Sequence, residues 1–111
     1  KLRLGNVDIF RDWGWAPDYV RAIWLMLQRT KPRDFIIGSG KTYSLKDFVN
    51  EVFKYLGISK KNLKTNVSKY KRKIDLRGYK ANIADTQKAL KWKPELKFKT
   101  IIHKMINNEL F

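Results

Sequence analysis

Apolar residues recur at helical spacing in three separate stretches of this chain, and only short extended segments lie between them. Spacing of i, i+3, i+4 and i+7 places such residues on one face of a helix, so each stretch predicts an amphipathic helix with that face buried. The three faces are Val20, Ile23, Trp24 and Leu27; Phe48, Val49, Val52, Phe53 and Leu56; and Ile101, Ile102, Met105 and Ile106.

Residues typical of helix ends stand beside these stretches and add a further helix. Pro17 is suited to open the first helix. Ser44 and Asp47 form a capping-box pattern at the start of the second, which Gly57 closes. Asn82 is predicted to cap another helix, with Asp85 at the reciprocal position, before the last one.

Extended segments are short. Residues 1–4 and 7–13 flank a Gly-Asn pair and predict a hairpin, and residues 35–37 and 63–67 predict further strands. The pattern therefore indicates an α/β chain of short strands and about four helices, with too few strands for a complete doubly wound sheet.

Composition narrows the class of protein. The chain has 111 residues, enough for one domain or one lobe, and lacks cysteine. No apolar run approaches the roughly 20 residues of a membrane span, so we expect a cytoplasmic protein that does not bind membranes. Because the chain starts at Lys1 within an extended segment, we also expect it to be a fragment of a longer protein.

The net charge of +15 favours a polyanionic or phosphate-bearing partner. Residues 60–80 carry nine basic side chains and one acid, Asp75; the nine are Lys60, Lys61, Lys64, Lys69, Lys71, Arg72, Lys73, Arg77 and Lys80. A solvated lysine-rich surface explains such a run about as well as a dedicated binding patch.

The stretch F-I-I-G-S-G-K-T-Y-S, residues 35–44, looks like a phosphate-binding P-loop. A P-loop reads G-x-x-x-x-G-K-[ST]. Phe35 stands where its first glycine would be, and Gly38 is too close to Gly40 for the loop to encircle a phosphate. We therefore interpret the stretch as a tight turn leading into the helix that Ser44 caps.

Few residues offer chemistry by themselves. His103, the single histidine, has no acid or hydroxyl partner at helical spacing, and neither paired carboxylates nor a metal-spaced cluster occurs. The tryptophans at 13, 15 and 24 are more typical of a core than of a base-stacking site. Arg11 and Arg72, with Asp75 close in sequence to Arg72, are the candidate phosphate ligands, because the guanidinium fork suits phosphate oxygens.

A long motif relates the chain to a known family. Residues 1–28 read K-L-R-L-G-N-V-D-I-F-R-D-W-G-W-A-P-D-Y-V-R-A-I-W-L-M-L-Q and resemble the start of the carboxy-terminal region of GDP-mannose 4,6-dehydratases, which are extended short-chain dehydrogenase/reductases. Residues 37–48 continue the resemblance. Residues 71–75, 81–83 and 90–94 match further motifs without a gap, although one proline and two glycines of the family pattern are missing.

The resemblance implies a two-lobed enzyme of which residues 1–111 are the smaller, GDP-sugar-binding lobe. In the family the amino-terminal Rossmann lobe binds NADP. The reaction oxidises C4 of the sugar, eliminates water across C5–C6 and returns the hydride to C6, giving a 4-keto-6-deoxy sugar. This chain contains neither G-x-x-G-x-x-G nor Tyr-x-x-x-Lys, so we expect it to be inactive alone and the full-length protein to be a homo-oligomeric hydro-lyase.

The resemblance also implies roles for individual residues. Arg11 matches an arginine that contacts the diphosphate, Arg72 a second phosphate arginine, and Asp75 an acid near the ribose hydroxyls, while Leu2 and Leu4 fall in the strand that flanks the base. The substrate is GDP-mannose or another GDP-linked sugar. Two alternatives stay open: a nucleic-acid-binding module that uses residues 60–80 with Tyr70 and Tyr79, and a degenerate relative without catalysis.

The interpretation of the glycine-rich stretch can be tested by Lys41→Ala. Since the turn is not a P-loop, we expect the nucleotide affinity of the full-length protein to stay almost unchanged in a calorimetric titration. A tenfold loss, about 1.4 kcal/mol, would contradict the interpretation.

Overall fold

A computed structural model describes residues 1–109 as four helices joined by irregular segments, with strands of only two residues each. Two single turns of 3-10 helix, Lys60–Asn62 and Ser68–Tyr70, lie within residues 60–80, which we call the basic run. In chain order the other elements are β1 (Leu2–Arg3), β2 (Phe10–Arg11), α1 (Ala16–Leu27), β3 (Tyr43–Ser44), α2 (Leu45–Tyr55), β4 (Leu63–Lys64), α3 (Ala84–Leu90) and α4 (Phe98–Ile106).

The predicted hairpin of residues 1–13 does not form. β1 pairs in parallel with β4, with Leu2 opposite Leu63, whereas β2 pairs antiparallel with β3. Gly5 serves a close approach instead of a hairpin turn, because a Cβ at this position would lie 2.4 Å from the carbonyl oxygen of Tyr70. The two extended segments therefore belong to separate two-stranded sheets.

The predicted strand at residues 35–37 is also wrong, since no strand is assigned there. A strand needs a neighbour to share its hydrogen-bond ladder, and none of the β-pairs among residues 1–109 includes this segment. The carbonyl of Ile36 accepts a hydrogen bond from the Thr86 hydroxyl at 2.7 Å, while the side chain of Ile36 is 59% exposed.

The start of α2 agrees with the prediction. Ser44 caps the helix, its hydroxyl accepting from the Asp47 amide while the Asp47 carboxylate accepts from the Ser44 amide, so the capping box is confirmed. Gly57 follows the helix with φ +65°, a conformation that costs glycine little. Val49 and Phe53 are buried, but Leu56 at the end of the predicted face is exposed.

The buried face of α1 differs from the predicted one. Its predicted residues, Val20, Ile23, Trp24 and Leu27, are between 48% and 77% exposed. The buried positions are Asp18 and Ala22, and Ala22 packs in a cluster with Leu90 and Trp92. The large apolar residues at helical spacing thus mark a face of α1 that residues 1–109 do not cover.

Asp18 fixes α1 to the segment before α4. Its carboxylate accepts hydrogen bonds from the amides of Glu95 at 3.0 Å and Leu96 at 3.1 Å. Its carbonyl accepts from the indole N–H of Trp92 at 3.1 Å. A buried carboxylate requires such donors, and here they hold the start of α1 against residues 92–96.

The cap of α3 and part of the buried face of α4 differ from the predictions. The cap position of α3 is Ile83, not Asn82, whose side chain accepts only from the Ala84 amide at 3.3 Å. Asp85 forms an ion pair with Arg33 in place of the reciprocal capping bond. In α4, Ile101 and Ile102 are buried as predicted, whereas Met105 is exposed.

Aromatic rings join α2 and α4 to the β2–β3 pair. Tyr43 stacks on Phe98 at 4.0 Å between ring centroids, and Phe48 lies 6.0 Å from Phe98 and 4.8 Å from Trp13. Aromatic pairs at these separations add to the stability gained by burying their surface. The cluster holds β2, which carries Arg11, against the helical part of the chain.

The molecule exposes more surface than a compact protein of its size. Its accessible surface is 8554 Å², against about 6,400 Å² for a folded monomer of 13.2 kDa. Its extents are 54 × 33 × 17 Å, a flat shape. None of the helices within residues 1–109 is long and apolar enough to cross a membrane.

Candidate functional site

Arg11 and Asp75 are 64 residues apart in sequence and form an ion pair in the structure. Nη2 of Arg11 lies 3.3 Å from Oδ1 of Asp75, and both side chains are largely buried, with exposed fractions of 23% and 17%. Nη1 of Arg11 donates to the carbonyls of Phe10 at 2.7 Å and Leu76 at 3.0 Å. The guanidinium therefore holds residues 75 and 76 against β2.

Residues 70–78 lie along residues 5–10, with close contacts at both ends. Gly5 touches the backbone of Tyr70, and a Cβ on Gly78 would lie 2.8 Å from the Cβ of Phe10. The Phe10 amide donates to the Arg77 carbonyl at 2.9 Å. We call residues 70–80 the basic strip. Its contacts with residues 5–10 fix where its cations are displayed.

The other predicted ligand residues are not drawn into the Arg11–Asp75 contact. Arg72 lies in the basic strip between its two ends and is exposed, and within residues 1–109 its side chain has no described hydrogen bond or ion pair. Leu2 is exposed on β1 and Leu4 is half-buried. The Leu4 carbonyl accepts from the Val67 amide at 3.0 Å, so β1 lies beside the chain that leads into the strip.

The glycine-rich turn already holds an anion from the protein itself. The Asp12 carboxylate accepts from the amide of Ser39 at 2.7 Å and from the amide of Gly40 at 2.9 Å. Consecutive amides of this kind are the groups that a phosphate-binding loop offers to its ligand. Their use by Asp12 supports the interpretation of the stretch as a structural turn.

The residues after Asp12 are also fixed by packing. The indole N–H of Trp13 donates to the Tyr43 carbonyl at 3.3 Å. A Cβ on Gly14 would lie 1.6 Å from the hydroxyl oxygen of Tyr19, so only glycine leaves room for that ring. Burial, and then the charges of Asp12 and Asp18, raise the pKa of the Tyr19 hydroxyl above 10.0.

His103 has a partner that helical spacing did not reveal. Its Nε2 lies 2.9 Å from Oε1 of Glu51 on α2, and its ring stacks on Tyr55 at 4.0 Å. Lys99 lies 3.8 Å from the same carboxylate. The partner is 52 residues away in sequence, so only the packing of α4 on α2 brings the pair together. This arrangement joins two helices and lies outside the basic strip.

A cavity of about 440 Å³ opens where the basic strip crosses β2. Its lining consists of Phe10, Thr42, Arg77, Gly78, Tyr79 and Lys80. Sequence analysis assigned Arg77 and Lys80 a role only in the nucleic-acid alternative, because their position beside Phe10 depends on the long-range contact with β2. Lys80 also lines a cavity of about 520 Å³ that reaches Gly40 and Asn82.

The described residues do not fit a metal or a dinucleotide. Residues 1–109 contain no group of three or more His, Cys, Asp or Glu side chains that could hold a metal ion. The sequence lacks the glycine fingerprint of a dinucleotide fold, and the amides of the glycine-rich turn are bonded to Asp12.

Solved structures with the same fold define the class. RMD from Pseudomonas aeruginosa, solved with NADPH, superposes with a TM-score of 0.82 at 17% identity, covering 98% of this chain and 35% of that one. The dTDP-glucose 4,6-dehydratase of Bacillus anthracis, solved with NAD, gives 0.83 at 21%, covering 96% and 33%. The chain therefore has the fold of about a third of each of these enzymes, in agreement with the fold class that the family resemblance implies.

Sequence comparison narrows the class to one family. The family model described as GDP-mannose 4,6 dehydratase matches residues 1–105. GDP-mannose 4,6 dehydratase 1 of Arabidopsis thaliana is 34% identical over 110 residues, which cover 99% of this chain and 30% of the relative. The human GDP-mannose 4,6 dehydratase is 32% identical over 124 residues, covering 96% and 33%.

The chain belongs to the GDP-mannose 4,6-dehydratase family, which confirms the resemblance. It spans about a third of the length of these curated relatives.

The environment of Tyr19 predicts a pH dependence. With its pKa raised above 10.0, Tyr19 stays neutral in the fold when its unfolded counterpart ionises, so its contribution to stability is present below pH 10 and is lost as pH rises through the higher, folded pKa. Ultraviolet titration of the folded protein should show one late tyrosinate transition that Tyr19→Phe removes. As a control, Tyr70→Phe at an exposed position should leave the late transition in place. A late transition that remains in Tyr19→Phe would contradict the assignment to Tyr19.

Proposed function

We propose that this chain is the substrate-binding lobe of a GDP-mannose 4,6-dehydratase, or of a near relative that acts on another GDP-linked sugar. The observation that carries the proposal is the contact between Arg11 and Asp75, the two residues for which family resemblance implies diphosphate and ribose contacts. The full-length protein would convert GDP-mannose to GDP-4-keto-6-deoxymannose.

Arg11 can bind phosphate oxygens without leaving its present position. Three of its five N–H groups donate to Phe10, Leu76 and Asp75. The remaining two, on Nε and Nη2, are free of described contacts within residues 1–109. Charge-assisted bonds from a guanidinium to a diphosphate are each worth roughly 1.5–3 kcal/mol, and the bonds to the protein hold the fork in a fixed orientation.

Asp75 would orient the nucleoside. One carboxylate oxygen faces Arg11, and a carboxylate has further acceptor sites that can take the hydroxyls of a ribose. Arg72 would add charge from the same strip, and Leu2 on β1 and Leu4 directly after it would border the base. In this arrangement the residues of the lobe bind and orient the substrate, and the chain supplies no acid, base or hydride carrier for the reaction.

The chemistry would be supplied by an amino-terminal domain that binds NADP. An exposed apolar surface on α1 supports the presence of such a partner, because Val20, Ile23, Trp24 and Leu27 lie together in solvent and contiguous apolar patches mark interaction surfaces. Ile36 is exposed as well. We propose that the NADP-binding domain covers this face, which would also account for the large accessible surface of the chain.

A nucleic-acid-binding module is the rival function, and the exposure of Tyr70 and Tyr79 among the cations of residues 60–80 is the observation that favours it. Such a protein would bind DNA with a salt dependence near −0.9 per phosphate neutralised. The two functions differ in the ligand, GDP or DNA, and in whether Arg11 contributes to binding it.

Arg11→Ala tests the proposed function. We expect GDP binding by the full-length protein to weaken by about 2–3 kcal/mol, roughly 30- to 150-fold, in a calorimetric titration. Arg11→Lys should also bind more weakly, because an ammonium cannot reproduce the fork. Arg72→Ala should cost a similar amount if that arginine reaches the phosphates.

Arg33→Ala is a charge-matched control, since Arg33 pairs with Asp85 and does not belong to the basic strip. Arg33→Ala should leave the GDP affinity unchanged.

The 111-residue chain alone should form no 4-keto sugar from GDP-mannose. Tight DNA binding at 200 mM salt, on the order of the affinities of specific complexes, with no response to GDP, would overturn the proposal in favour of the rival.

A further inference from the structure

The cavity beside Phe10 is bordered by cations and exposed aromatic rings. Arg77 and Lys80 flank Tyr79 in sequence, and all three residues line the cavity of about 440 Å³ together with Phe10 and Thr42. Phe10 and Tyr79 are 42% and 60% exposed. The guanidinium carbon of Arg11 lies 5.8 Å from the centroid of the Tyr79 ring, so this cavity adjoins the Arg11–Asp75 pair.

The positive charge at this cavity is not compensated within the described part of the chain. Among residues 1–109 neither Arg77 nor Lys80 has a described hydrogen bond or ion pair from its side chain. Asp75 is the single acid of residues 60–80, and it is already paired with Arg11. Two neighbouring cations without an acid create a local field that favours a bound anion.

Backbone contacts fix where the two cations are displayed. The Arg77 carbonyl accepts from the Phe10 amide at 2.9 Å, and Gly78 lies directly on Phe10, where a Cβ would come within 2.8 Å. These contacts hold residues 77–80 at the cavity before any ligand arrives. Because this backbone is already fixed, binding a ligand has to order only the two side chains, which lowers the entropy lost on binding.

We propose that Arg77 and Lys80 form an anion-binding subsite for the diphosphate of the nucleotide sugar, with Tyr79 as its wall. The proposal rests on the proposed function and adds to it, because Asp75 offsets the charge of Arg11, so that Arg11 and Arg72 together leave charge on the diphosphate to be neutralised. Neither residue lies in a motif by which the chain resembles its family.

Lys80 gives the subsite room for the rest of the ligand. It lines both the 440 Å³ cavity and the 520 Å³ cavity that extends toward Gly40 and Asn82. Volumes of this size lie within the range of about 300–1,000 Å³ found for small-molecule sites. A ligand whose phosphates lie at Arg77 and Lys80 can therefore extend from one cavity into the other.

Calorimetric titration of the full-length protein with GDP, guanosine and inorganic diphosphate tests the subsite. Arg77→Ala and Lys80→Ala should each weaken GDP and diphosphate binding about tenfold, and the double variant more, while guanosine binding stays unchanged because it has no phosphate. Lys61→Ala/Lys69→Ala removes the same charge from exposed positions of the basic run outside the cavity and should change GDP affinity less than about twofold.

Arg77→Gln and Lys80→Gln keep most of each side chain and serve if an alanine variant fails to fold; they should show the same losses. GDP affinity in the double variant equal to that of the control pair would overturn the subsite, and the proposed function would stand if Arg11→Ala still weakened GDP binding roughly 30- to 150-fold. Diphosphate binding that depends on Arg77, without preference for GDP, would support the subsite and reject the proposed function. In a parallel titration with a DNA duplex, a loss of DNA affinity in these variants with GDP and diphosphate affinity unchanged would assign both cations to nucleic acid and overturn the subsite.

Discussion

Arg11 is the residue on which the arrangement of the candidate site depends. Its guanidinium joins β2 to the basic strip through the Leu76 carbonyl and the Asp75 carboxylate. Without that link, the nine-fold excess of cations over acids in residues 60–80 would favour separation of the strip from the rest of the chain, since like charges repel. Together with the backbone contacts between Phe10 and residues 77 and 78, Arg11 thus places an acid, an aromatic ring and several cations beside a cavity. It keeps part of its own fork for a ligand.

The neighbouring residues of the R-D-W-G motif each have a separate structural task. Asp12 occupies the amides of the glycine-rich turn, Trp13 bonds to β3 and packs on Phe48, and Gly14 leaves space for Tyr19. Four consecutive residues therefore connect β2 to the basic strip, to the turn before β3, to α2 and to α1. The length of the conspicuous motif reflects packing in several directions, and its arginine is the member that faces the candidate site.

Local patterns predicted the parts of the fold that local physics decides. The capping box at Ser44 and the turn at Gly57 involve residues within one helical turn, and both are present. The guanidinium chemistry of Arg11 made it a candidate ligand, but the roles of Arg11 and Asp75 came from family resemblance. Nothing in the spacing of two residues 64 positions apart reveals that they touch. The same limit applies to His103 and Glu51, and to the placement of Arg77 and Lys80 beside Phe10.

The predicted buried face of α1 was wrong for a different reason. Its large apolar residues do lie on one face, but hydrophobic periodicity identifies a face that seeks cover without saying what covers it. In this chain the core instead takes the small Ala22 and the hydrogen-bonded Asp18. The predicted hairpin was wrong because Gly5 makes a close contact with the backbone of Tyr70. A Gly-Asn pair in a sequence does not show whether its glycine serves such a contact or a turn.

Amide hydrogen exchange of the full-length protein, with and without GDP, tests the central claim most directly. If GDP binds where β2 meets the basic strip, exchange should slow at residues 9–12 and 75–80, while the amides of Ser39 and Gly40, already bonded to Asp12, should not change. Protection centred on residues 38–42, with none in the strip, would contradict the account and restore the glycine-rich turn as the nucleotide site.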